Sequence, residues 1–270
     1  MDIAIGFDIS LDITGPNLLL GCLSVHPSVV PQLHAPEQLV ITPALPHTQY
    51  SDSFGNRVTH VPIPNGTTTL QLHSRAVVRD DGQPDQEPTH AGAHAAQDLP
   101  HEVLQFLLPS RYCDFDGELL ATAWQEFGSL PPGWGMVRAI SDYVHQRIRF
   151  DYQQARPTRS ASEAWREGVG VCRDYAHLAV ALCRSMNLPA RYATGYLGDI
   201  GVPAVDAPMD FSAWFQVYLG GQWHTWDARH NVLRIGRVLM ATGRDAADVP
   251  ITMVFGSSQL KQFEVTTHAL

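Results

Sequence analysis

Two hydrophobic periods divide the chain. Up to about residue 108, apolar and polar positions alternate over short runs, the period of a half-buried strand. Alternation shows late in Ala4 to Ile13 and across Thr67 to Val78, Leu18 to Val25 is an apolar stretch, and Leu39 to Ile41 and Arg57 to Ile63 are further candidate strands. Asp52-Ser53-Phe54-Gly55-Asn56 supplies a turn between strands. Short strands separated by turn residues predict a sandwich or small barrel. Asp80 to Pro100 is rich in Pro, Gly, Asp and His. It reads as an exposed loop or interdomain linker.

From about residue 109 the spacing becomes helical. Gly117 to Phe127 and Trp134 to Phe150 carry apolar residues at helical intervals, and Ser162 to Arg166 reads as a short helix. A longer helix runs from about Cys172 to Met186 and stops at Asn187-Leu188-Pro189, because proline cannot continue it. Strands are expected at Arg191 to Leu197, Ser212 to Leu219 and Gln222 to Asp227, with Gly220-Gly221 as a two-residue hairpin turn. The expected fold class is α+β. A β-sandwich-like N-terminal domain over residues 1–108 precedes a domain over 109–270 in which helices pack on an antiparallel sheet.

Composition narrows the function classes. At 270 residues, with 44% hydrophobic and 17% charged positions, the chain buries a core without staples. Its net charge of −9 argues against general nucleic-acid binding and against docking on anionic lipid. No apolar run approaches the roughly 20 residues of a membrane helix, and Met1-Asp2-Ile3-Ala4 opens no signal peptide. The expected location is cytoplasmic. The four cysteines, Cys22, Cys113, Cys172 and Cys183, form no C-x-x-C pair or zinc spacing, so neither a metal nor a cofactor is expected.

Cys172 follows the turn Gly168-Val169-Gly170-Val171 and opens the long helix. A helix N-terminus carries roughly +0.5 charge, and such positions lower a cysteine pKa from about 8.5 to between 3.5 and 7.5. Cys172, Ala176, Ala179, Cys183 and Met186 share the face expected to meet the strands. The competing reading is a small buried hydrophobe, which also suits Cys22, Cys113 and Cys183.

Several motifs then occur in a specific order: Gly170-Val171-Cys172-Arg173-Asp174-Tyr175-Ala176-His177-Leu178, Leu188-Pro189-Ala190-Arg191-Tyr192, Gly195-Tyr196-Leu197, Ala213-Trp214-Phe215-Gln216-Val217-Tyr218-Leu219 and Trp226-Asp227. Together they resemble the bacterial transglutaminase-like family over about residues 160–232. The Asp52–Asn56 turn and the Leu108-Pro109-Ser110-Arg111-Tyr112-Cys113 junction resemble the β-rich region preceding this core in one branch of that family. The resemblance implies a papain-like core. It also implies a cysteine, histidine and aspartate triad for acyl transfer or amide hydrolysis, here with Cys172 as nucleophile and Asp227 as the aspartate.

The position that holds the family's histidine holds Ser212. Serine does not titrate near neutral pH and cannot replace it as a base. With a two-residue turn at Gly220-Gly221, Trp214 opposes Asp227 and Ser212 opposes Arg229, all on one face. His224 falls on the other face, and His177 lies about 140° around the helix from Cys172. His230, three residues after Asp227, is the best nearby substitute, although strict alternation places it off the face. Asp227 either orients a base or turns the chain. Ser212, Trp214 and Tyr196 are the expected substrate-binding residues.

Three functions remain open on these residues. The first is a cysteine peptidase, amidase or acyltransferase acting on a peptide or protein. The second is a non-catalytic peptide-binding or scaffold module on the same fold. The third is a reversible thiol sensor.

Overall fold

The computed structural model describes residues 1–115, 117–204 and 209–270. The first half contributes six strands: β1 (Asp2–Thr14), β2 (Asn17–Gly21), β3 (Gln38–Thr42), β4 (Thr48–Ser51), β5 (Arg57–Ile63) and β6 (Thr69–Arg79). Helices α1 (His101–Leu104), α2 (Gly117–Phe127) and α3 (Trp134–Arg147) follow. The short β7 (Arg149–Phe150) and β8 (Val169–Gly170) flank α4 (Ala161–Glu167) and lead into α5 (Cys172–Ser185). The chain closes with β9 (Ala190–Leu197), β10 (Ser212–Leu219), β11 (Gln222–Trp226), β12 (Arg237–Gly243), β13 (Met253–Val254) and β14 (Ser257–Ala269).

Alternation in β1 has the expected consequence. Ile3, Ile5, Phe7, Ile9, Leu11 and Ile13 all point into one core, which Leu70 and Leu72 of β6 share with Leu19, Val61 and Ile63 of β2 and β5. Two antiparallel sheets, ordered β14-β1-β6-β3 and β13-β2-β5-β4, thus bury their inner faces together. The C-terminal residues, expected to belong with the second domain, complete these two sheets instead. β14 pairs with β1 from Ile3↔Ala269 to Thr14↔Ser257, and β13 pairs with β2. Without β14, the 13-residue β1 would leave a long row of backbone groups unpaired.

The third sheet, ordered β11-β10-β9-β12, carries the helices. Its hairpin has the expected register, with Leu219 opposite Gln222 and Phe215 opposite Trp226. Helix α5 lies against β9 and β10, with α2, α3 and α4 packed around it. Leu178, Leu182 and Cys183 of α5 share a core with Val137, Ile140 and Val144 of α3 and with Phe215 and Val217 of β10. The segment read as an exposed linker is pinned at several points. Gly92 bridges Gly133, its carbonyl accepts the Gly220 N–H at 2.9 Å, and Ala91 is buried.

Candidate active site

Local chemistry explains why a helix begins at Cys172. The buried Asp174 turns back on the first turn of α5, its carboxylate accepting the Val171 N–H at 2.9 Å and pairing with Arg159 at 3.0 Å. A side chain at 170 could not fit, because its Cβ would lie 2.6 Å from the Asp174 carboxylate. Arg173 lies over the Tyr112 ring. Cys172 itself is half-buried, with the Ala213 N–H near the start of β10 acting on its sulfur.

Burial acts against the acidic thiol expected at a helix N-terminus. Burial pushes Cys172 up to about 11, against the pull of the Arg229 guanidinium and the Ala213 N–H, while Asp210 and Asp227 push the same way as burial. Desolvation disfavours a thiolate at this position.

Asp227 builds a turn and orients a histidine at once. β11 ends at Trp226, so strand alternation does not extend to His230. Asp227 Oδ1 accepts the N–H groups of Arg229 at 3.1 Å and His230 at 3.0 Å, and its carbonyl accepts that of Asn231 at 2.8 Å. Asn231 adopts a left-handed φ of 54°, which asparagine tolerates. Helix α3 holds this turn from outside. Ser141 donates to Asn231, Asn231 donates to Asp142, and His145 Nδ1 reaches the carbonyls of Ala228 and Arg229.

The turn brings His230 Nδ1 to 2.9 Å from Asp227 Oδ2. A carboxylate only accepts, so Nδ1 carries the proton and the basic lone pair is on Nε2. Arg237 Nη2 donates to the same oxygen at 3.1 Å. Burial alone would raise the Asp227 carboxyl, but Arg237 and then His230 hold it far below the usual carboxylate range.

His230, Ser212 and Arg229 line one cleft of about 240 Å³, together with Phe150, Tyr152, Leu197, Asp199, Met209, Asp210 and Phe211. Arg229, Asp210 and Tyr152 also interact electrostatically with Cys172, so the thiol lies within electrostatic reach of the cleft wall. Ser212 therefore lies on the cleft wall. Trp214 and Tyr196 do not line the cleft as expected, since both are almost wholly buried. Trp214 instead lies under the Arg237 guanidinium at 4.8 Å, and Tyr196 packs on Phe211 in the sandwich core.

The other two histidines near the motif serve structure. His177 Nε2 accepts the Ala246 N–H at 3.1 Å between the rings of Tyr112 and Tyr192. His224 closes the hairpin through the Leu219 carbonyl. Arg237, Tyr152 and Asp210 were not picked out from the sequence. The one readable signal among them is Arg237, a lone charge at the head of the apolar run Val238-Leu239-Met240.

The sequence model of the transglutaminase-like superfamily matches residues 123–228, from within α2 to Ala228. A candidate cysteine protease from Cytophaga hutchinsonii, known from its crystal structure, is similar over 100% of this chain and 91% of its own, at 31% identity with a TM-score of 0.83. The chain belongs to the transglutaminase-like superfamily. Two uncharacterized mycobacterial proteins are also similar at 27% identity. One, from Mycobacterium leprae, aligns over 217 residues, 77% of this chain and 75% of that protein. The other, from Mycobacterium tuberculosis, aligns over 233 residues, 79% and 73%. The superfamily match includes Cys172, Ser212 and Asp227, and it stops two residues before His230.

Proposed function

We propose that this chain is a cysteine acyl-transfer enzyme that hydrolyses a peptide-like amide through a Cys172 thioester. The observation carrying this reading is the 2.9 Å hydrogen bond between His230 and Asp227 on the wall of the cleft within electrostatic reach of Cys172. It supplies an oriented base from a turn although Ser212 occupies the strand position expected to hold one.

The chemistry follows from that arrangement. Because burial disfavours a free thiolate, His230 Nε2 takes the Cys172 proton as sulfur attacks the carbonyl carbon. The first N–H groups of α5, that of Cys172 included, lack intrahelical acceptors and suit the developing oxyanion. Collapse breaks the C–N bond, and the imidazolium returns its proton to the leaving amine. Water then attacks the thioester, giving its proton to His230, and the carboxylic acid leaves as the thiol reforms. Asp227 steadies the imidazolium throughout without being protonated itself. The aromatic and aliphatic walls, Phe150, Tyr152, Leu197 and Phe211, suit apolar side chains of a peptide.

Turnover of a fluorogenic peptide-amide library tests this reading. Cleavage that disappears in Cys172→Ala is expected; binding of the same peptides with no turnover would overturn it. That second outcome is what a non-catalytic peptide-binding module predicts, and the burial that disfavours a Cys172 thiolate favours such a module. The same burial counts against a thiol sensor, which needs a thiolate.

A further inference from the structure

Arg237 does not belong to Asp227 alone. Its Nη2 is shared almost equally between Asp227 Oδ2 at 3.1 Å and Asp85 Oδ2 at 3.0 Å, and its Nε also faces Asp85, at 3.3 Å from each oxygen. Asp85 comes from the segment between the N-terminal strands and the helices. It is fastened there by two backbone contacts with one residue: its N–H donates to the Arg234 carbonyl at 2.9 Å, and its carboxylate accepts the Arg234 N–H at 3.1 Å. Arg237 and Asp227 are buried, and Asp85 is only 16% exposed. The contacts therefore form one shielded row, Asp85–Arg237–Asp227–His230, ending at the cleft.

We propose that Asp85 is a positioning residue that keeps Asp227 aimed at His230. The inference rests on the acyl-transfer reading only for its effect on rate. Two physical consequences of the row support it. First, Asp85 occupies the Nε side of the guanidinium fork, so Arg237 reaches Asp227 through one N–H. Released from Asp85, the planar fork could close bidentately on Asp227, the preferred arginine–carboxylate geometry, and compete with His230 for Oδ2. Second, Asp85 offsets the Arg237 guanidinium, which leaves more of the Asp227 negative charge to favour the imidazolium formed when Cys172 gives up its proton. The Arg237 guanidinium also lies over the Trp214 ring, which limits its freedom to tilt away.

The test uses the whole chain with Asp85→Asn, and Asp85→Glu as the rescue. The first readout is the ¹⁵N signature of the His230 ring, which needs no activity. A single Nδ1–H tautomer is expected in the wild type, and a mixture of tautomers in Asp85→Asn. The second is the rate of Cys172 acetylation by p-nitrophenyl acetate. It should fall about tenfold in Asp85→Asn, the effect of weakening one hydrogen bond to a charged group, with the ester KM unchanged and most of the rate restored by Asp85→Glu. A purely structural role would lower thermal stability and leave the tautomer alone. An unchanged tautomer in Asp85→Asn overturns the inference whether or not the enzyme is active. A changed tautomer in a chain whose Cys172 is never acetylated upholds the positioning role and sinks the acyl-transfer reading instead.

Discussion

Two histidines stand close to the nucleophilic helix, and their surroundings differ in every respect that matters to a base. His177 is fully buried on α5, stacked between Tyr112 and Tyr192, and its Nε2 lone pair is consumed by the Ala246 N–H. Burial first, and then the Arg173 and Arg184 charges, lower its basicity, with Asp245 opposing. His230 lies on a turn at the cleft wall with its ring 25% exposed, and its Nδ1 is taken by a carboxylate. The basic nitrogen therefore belongs to a ring on the cleft wall in one case and is spent inside the protein in the other. Proximity in sequence to Cys172 is a poor guide; the acceptor on the far nitrogen decides which histidine can move a proton.

That contrast can be broken most sharply by exchanging the two losses. His230→Ala should lower peptide-amide turnover by about 10²- to 10⁴-fold, the usual contribution of a general base, while folding is nearly unaffected. His177→Ala should do the reverse. It removes two ring contacts and a buried acceptor, so urea unfolding should show a loss of about 3 kcal/mol. Turnover per folded molecule should stay close to the wild type. Equal effects of both variants on turnover would erase the distinction.

Acidification sharpens the same contrast. A buried neutral histidine whose native pKa is lowered stabilises the fold fully above its unfolded pKa near 6.5. That stability is lost as pH falls below this value toward the lowered native one, at up to about 1.4 kcal/mol per pH unit. Urea melts between pH 7 and 4.5 should show this slope, and His177→Phe should flatten it. The charges facing His177 are Arg173, Arg184 and Asp245, and the Asp245 carboxyl is itself held low by the Ser110 hydroxyl and the Tyr112 and Ala247 N–H groups, although burial opposes them. Asp245 therefore stays ionised through that window. The smallest effect is expected at Ser212. Ser212→Ala should change turnover by no more than about twofold, because serine holds no proton that titrates in this range. A large loss there would give the Ser212 hydroxyl a direct role in holding the substrate.

Much of the framework was legible because periodic burial determines it. The inward row of β1, the start of α5 at Cys172 and the β10–β11 register all follow from alternation, capping and a two-residue turn. β14 escaped because it is an edge strand whose outer half is solvent-exposed, so its sequence shows little alternation. In the site, Cys172 and Asp227 carried recognisable spacing. The His230 placement depended on where strand geometry stops, and that is set by the Asp227 side chain capping its own turn. Asp85 lies 152 residues from Arg237, and nothing local announces such a pair. Trp214 and Tyr196 were assigned to the cleft by their aromatic character, whereas the rings serve the interior.

The most direct test is intact-mass detection of the acyl adduct formed by p-nitrophenyl acetate on each cysteine, followed in time for the wild type, His230→Ala and His177→Phe. The account predicts one fast adduct, on Cys172. It should form at least about a hundredfold more slowly in His230→Ala and at nearly the wild-type rate in His177→Phe. Acetylation of Cys172 no faster than that of the buried Cys183, or a Cys172 rate indifferent to His230, would contradict it.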